Sequence, residues 1–179
     1  MRIESNQSPF GDRPDVAIFS DDDRHRYHLT REFGRGDRPL IVCGLNPSTA
    51  TAFLDDQTIR KEIGFAKRWG CGRLVKVNAY GFRATDPKDM KRARRASVDV
   101  VGPENNRFIR EAVQLALLSD GIFLVAWGAN IEPERQRELA EMIGPIAVAL
   151  LVNKDGSPGH PLYIAGDATP SPWQMPRTS

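Results

Sequence analysis

Four short apolar runs, PLIVCGLNPST at 39–49, LVKVNAYGF at 74–82, IFLVAWG at 122–128 and IAVALLV at 146–152, constrain this chain more than any other feature. Each is too short for a membrane span and too continuous for a half-exposed strand, as expected of strands buried on both faces of a parallel sheet. The segments between them carry helical start signals and helical spacing. Asp55 and Asp56 offer caps for a helix through Trp69, with Ile59, Ile63 and Ala66 on one stripe. Asp86-Pro87, Gly102-Pro103 and Glu132-Pro133 place proline where a first helical turn tolerates it. The third of these segments carries Ile109, Ala112, Val113 and Ala116 on one face, and the fourth Leu139, Met142 and Ile143. This alternation predicts an α/β three-layer sandwich with a mainly parallel four-stranded central sheet. Ahead of it, residues 16–33 read as an N-terminal β-hairpin around the acidic turn Ser20–Asp23.

A chain of 179 residues that is 40% hydrophobic suits one domain over 1–179, with a core from about 16 to 168. Residues 1–15 and the Pro- and Ser-rich stretch 169–179 are expected as extended or partly disordered tails, which Trp173 could dock. The polar start and the absence of a long apolar stretch predict a cytoplasmic, soluble protein that does not enter membranes. Cys43 and Cys71 are too few for a disulfide framework, and Cys43 in its apolar strand reads as an inert buried thiol.

In an open parallel sheet, ligands bind outside the carboxyl ends of the strands, where loops gather and helix N-termini point. All four runs end in residues a core would not choose: Gly44 and Asn46-Pro47-Ser48-Thr49; Asn78, Tyr80 and Arg83; Trp127, Gly128 and Asn130; Asn153, Lys154, Asp155 and then His160. An asparagine amide offers donors and an acceptor and can match the edge of a base, while Tyr80, Phe82 or Trp127 could supply a stacking face. His160 could stabilise a developing anion or move a proton. His25 and His28 are expected on the hairpin surface. Their spacing could suit a metal, but no carboxylate or cysteine accompanies them, so no metal is assigned. Neither G-x-G-x-x-G nor a P-loop is present, and Ser48 lacks a nucleophile elbow, so no cofactor is assigned.

Charge is unevenly distributed. Between Arg60 and Arg95 stand twelve Lys or Arg against three acids, a local +9 in a chain of net +2. Lys88, Lys91, Arg92, Arg94 and Arg95 fall on one helix and could track a nucleic-acid backbone. The alternative is a set of solvated helix faces.

The segments FSDDDRHRYHL, CGLNPSTA, DDQTIRKEIGFAKRWG, VNAYGFRATDP, VGPENN, WG and KDGSPGHPLY together resemble a bacterial and phage family of unknown function marked by the Asn-Pro-Ser-Thr-Ala motif, from about Ala17 to Tyr163. The chain departs from it at Gln57, often proline there, and in the order Asn-Ala-Tyr-Gly-Phe around Tyr80. More remotely, the order Gly-x-Asn-Pro, strand-end Asn, Trp-Gly and late His-Pro is similar to the uracil-DNA glycosylase superfamily. That resemblance implies its fold and a role for Asn46 in positioning water, Asn78 in reading a base edge and His160 in supporting the departing base. Leu162 would be a wedge in the stack. The serine that usually follows the His-Pro pair is missing. Three functions stay open: a protein that recognises or excises a base in nucleic acid, most directly DNA; a non-catalytic nucleotide or modified-base module; and a hydrolase of free nucleotides, with Arg83 and Lys154 on phosphate.

Overall fold

The computed structural model of the protein describes residues 1–8, 12–34, 36–48 and 50–176, with residue 87 described by its backbone only. The four apolar runs form strands β4 (Pro39–Gly44), β5 (Arg73–Asn78), β6 (Ile122–Val125) and β7 (Ala147–Ala149). They lie side by side in the order β5-β4-β6-β7, and all three of their ladders are parallel. They are half of a larger sheet. The hairpin, β2 (Asp15–Phe19) and β3 (Arg26–Glu32), docks antiparallel on β5 and carries β1 (Arg2–Asn6) on its outer edge. On the far side, β8 (Ser171–Pro172) pairs antiparallel with β7.

The expected four-stranded, mainly parallel sheet is therefore corrected to an eight-stranded mixed sheet in which four of seven ladders are antiparallel. A parallel block leaves an open edge on each side, and strand pairing from both ends of the chain covers those edges. Each expected tail thus contributes an extended segment that pairs into the sheet, while residues 9–11 and 177–179 lie outside those described. Trp173 docks the C-terminal one: it is 3% exposed, and its indole N–H donates to the Gly156 carbonyl at 3.1 Å.

The helices divide between the two faces. Helix α1 (Gln57–Arg68) packs Ile59, Phe65 and Ala66 on one face against Leu40, Val42, Leu74 and Leu124. The other face is covered by α2 (Pro87–Arg95), α3 (Asn105–Leu118) and α4 (Pro133–Ile143) over Ile41, Cys43, Val75, Val77 and Phe123. Asp56 caps α1 by accepting from the Ile59 N–H at 2.8 Å, as its position before the apolar stripe predicts. No helix among the described residues is long and apolar enough to cross a membrane.

Two sequence expectations about histidines are corrected. His25 is buried, bonded through Nε2 to the Asp99 carbonyl at 2.8 Å, and His28 is half-buried beside Phe108. The docked hairpin and α3 cover a ribbon that would be exposed on its own. Burial, with Arg73 and Arg26 nearby, pushes the His28 pKa down to about 4.

Candidate active site cleft

Strands β4, β5 and β6 end at one level, and a cleft of about 430 Å³ opens there on the α1 side of the sheet. Its walls are the loop after β4, the start of α1, the loop after β6 and the segment reaching the 3-10 turn Pro161–Tyr163. Strand pairing continues beyond the strands: Ala79 and Tyr80 donate to the carbonyls of Gly44 and Leu45, and Ala84 to that of Pro47. The rim is thus held by backbone bonds.

Asn78 lies at the floor. It is 1% exposed, and neither its amide nitrogen nor its amide oxygen has a hydrogen-bond partner. Its own carbonyl and that of Ala79 are bound from the opposite face of the sheet by the Asn105 amide of α3, and Arg135 of α4 adds a bond of 2.7 Å to Ala79. Backbone from one side and cavity on the other leave the Asn78 side chain facing the cleft. Lys76, two residues earlier on the same strand face, forms a buried ion pair with Glu62 of α1. Burial pushes the Glu62 carboxyl up, and Lys76 opposes that shift. Gly44 makes room for both side chains, since a Cβ there would stand 2.8 Å from Lys76 Nζ and 3.1 Å from Asn78 Oδ1.

Asn46 is oriented by its neighbours. Its Nδ2 donates to the carbonyls of Ala84 at 2.8 Å and Pro47 at 3.1 Å, two acceptors that only the nitrogen can satisfy. Its Oδ1 is left to the cleft. His160 faces the same space, with its Nδ1 accepting from the Leu162 N–H at 3.3 Å, so the ring proton resides on Nε2. Burial first, then Lys76, pushes its pKa down to about 4, with Asp56 opposing. At neutral pH His160 is an uncharged donor.

Gly44, Asn46, Ser48, Asn78, Trp127 and His160 all line the cleft, as do Asn130 and Asn153. Thr49 lies outside the described residues. Four other predicted contacts point elsewhere. Tyr80 is buried on the α2 side, where its hydroxyl accepts from the Glu132 N–H at 3.1 Å. Arg83 stacks over Phe19 at 4.9 Å and donates to the Asp23 carbonyl. Lys154 is exposed on a turn away from the walls, and Pro47 is buried with only its carbonyl engaged at the rim. Trp127 lines the cleft, but its ring is 1% exposed, bonded to Gln136 of α4 and packed edge-on against Trp173 at 5.4 Å in the core on the α4 side, so it presents no stacking face. Leu162 is half-buried, and its neighbour Tyr163 stands 85% exposed at the mouth, 5.7 Å from the His160 ring. The twelve basic residues of 60–95 do not form one stripe. Lys76 is buried, and α1 and α2 lie on opposite faces of the sheet. Lys88, Lys91, Arg92, Arg94 and Arg95 are exposed on α2, where Arg94 pairs with Glu132 at 2.6 Å, Arg92 with Asp89 at 3.3 Å, and Lys91 bonds Asn130 on the cleft wall.

Sequence reasoning missed Arg26, Asp56, Lys76 and Tyr163, all of which line the cleft. Lys76 had a readable signal: a charge inside a continuous apolar strand.

The chain belongs to the family described as Protein of unknown function (DUF1643), whose model matches residues 26–162. That span contains every strand of the parallel block and all the cleft residues except Tyr163. Neither the curated proteins nor the solved structures contain a match to the chain.

Proposed function

We propose that the cleft recognises a nucleobase, presented from a nucleic-acid strand, and supports hydrolysis of its N-glycosidic bond. The observation that carries this reading is the Asn78 amide, buried, unpartnered and held at the cleft floor. A free donor and a free acceptor side by side match the donor–acceptor edge of a base, and a buried polar pair of this kind discriminates strongly against ligands that leave it unpaired.

Around that floor stand groups suited to the bond cleavage. Breaking the bond transfers its electron pair to the base, leaves positive charge on the sugar carbon C1′ and needs a water to attack there. Asn46 Oδ1 can accept from that water, and the Asp56 carboxylate, also on the wall, can take its proton as the new C–O bond forms. The neutral His160 Nε2–H can donate to the departing base as it becomes anionic. The motif order similar to the uracil-DNA glycosylase superfamily supports the same assignment of Asn46, Asn78 and His160. The exposed face of α2 adjoins the cleft through Asn130 and suits the phosphate backbone. Tyr163 at the mouth takes the stacking role that Tyr80, Phe82 or Trp127 was expected to fill.

A gel assay for abasic sites, on oligonucleotides carrying uracil, hydroxymethyluracil and other modified bases, tests this directly. The expected result is cleavage by the wild type that is lost in both Asn46→Ala and His160→Ala while binding persists. Salt-sensitive binding without cleavage would favour the non-catalytic module. Absence of both would point to free nucleotides.

A further inference from the structure

The cleft floor holds a charge that base recognition alone leaves unused. Arg26 opens β3 opposite Phe19, on the α1 face of the sheet, and is 2% exposed. Its Nη1 donates to the Ala50 carbonyl at 2.5 Å, its Nε has no partner, and among the described residues it makes no ion pair. The nearest acids act on it only through space: Glu62 is paired with Lys76, and Asp56 caps α1 through one carboxylate oxygen. Burial lowers the Arg26 pKa to about 10, so the guanidinium remains charged at neutral pH. In the same cleft the Asn78 amide is unpartnered, and its Oδ1 and the Lys76 ammonium flank the same point above Gly44.

A buried cation with no carboxylate in contact is costly, and a buried amide without partners is uncommon. Both costs fall in one cavity and both are relieved by one kind of ligand. We propose that the ligand brings an oxyanion to this floor, received by Arg26 and Lys76 as charged donors and by the Asn78 Nδ2–H as a neutral one. The guanidinium fork suits a planar or tetrahedral oxyanion, and its one backbone bond holds it in place. Two sources share this chemistry, the ionised oxygen of a base and a phosphate ester. The inference rests on the reading of the cleft as a base site, which supplies the rest of the ligand.

Calorimetric titration of the intact protein at neutral pH separates these possibilities with ligands paired as neutral and anionic members. One pair is uracil against 5-nitrouracil, which is ionised at neutral pH; the others are each common nucleoside against its 5′-monophosphate, with inorganic phosphate alone. The expected result is at least ten-fold tighter binding of the charged member of a pair, reduced in Arg26→Gln and kept in part by Arg26→Lys. A gain confined to 5-nitrouracil identifies the base oxygen as the source, and a gain confined to the monophosphates identifies the phosphate. Since Arg26→Gln could loosen the Ala50 loop, the wild-type comparison is decisive on its own. Equal affinity within every pair would overturn the oxyanion seat and leave base recognition standing. Binding of inorganic phosphate without any contribution from a base would keep the seat and overturn base recognition. No binding of any ligand would overturn both.

Discussion

An asparagine amide that is 1% exposed and bonded to nothing normally costs about 1–3 kcal/mol, because it leaves water without compensation. At Asn78 this cost gives a prediction in which stability and function separate. Asn78→Leu, close in size and free of polar atoms, should keep or raise the thermal midpoint while removing ligand binding; a clear loss of stability would mean that the amide is bonded inside the fold. His160 gives a second. Its pKa of about 4, against an ordinary 6.5, leaves the folded state with fewer bound protons than the unfolded one between those values. Stability therefore falls as pH drops from 6.5 towards 4, with His28 contributing in the same window and direction. Proton NMR should show two histidine rings titrating near 4, and activity that needs neutral His160 should show no break at 6.5. Residues of this kind were readable where a polar side chain ended an apolar run, as at Asn46 and Asn78, and His160 in the loop that follows the last run. Arg26 was not, because a charge in an alternating hairpin strand looks like a solvent-facing position until the fold covers it.

At the level of elements, the loop from 46 to 56 forms one wall of the cleft and is fastened from beneath. Arg31 of β3 pairs with Asp55 at 2.7 Å and donates to the carbonyls of Thr51 and Leu54. Arg31→Ala leaves that acid and those carbonyls without their donor. It should cost about 3 kcal/mol and speed amide exchange across the described residues of the loop, read by hydrogen-exchange mass spectrometry. The C-terminal strand is the other brace. Trp173→Ala should cost about 3–5 kcal/mol in denaturant unfolding and, through the Trp127 wall it packs against, weaken ligand binding as well. The parallel strands and α1 were legible because their apolar periodicity is local. Strands β1 and β8 were not, since each is short and polar and exists only because an edge of the sheet is there to receive it.

The whole molecule joins a parallel block, whose strand ends make the cleft, to an antiparallel flank that contributes Arg26 to it. This division also separates the basic residues, with α1 and α2 on opposite faces. Neutralising Lys88, Arg92 and Arg95 on α2 to Gln should weaken nucleic-acid binding and flatten its dependence on salt, whereas the same change at Arg60, Lys61 and Arg68 on α1 should not. Equal effects from both sets would show that the charge acts only through its total. The local +9 could be counted from the sequence, but its partition could not, because the side of the sheet a helix takes depends on crossovers that composition does not record.

The central claim is that a base edge meets the Asn78 amide at the cleft floor. It is tested most directly by following the Asn78 side-chain NH₂ signals in ¹⁵N-labelled protein during titration with a base-modified oligonucleotide. These signals should shift on titration and saturate with the affinity of the oligonucleotide. Shifts confined to α2, with the Asn78 amide unmoved at saturation, would contradict it.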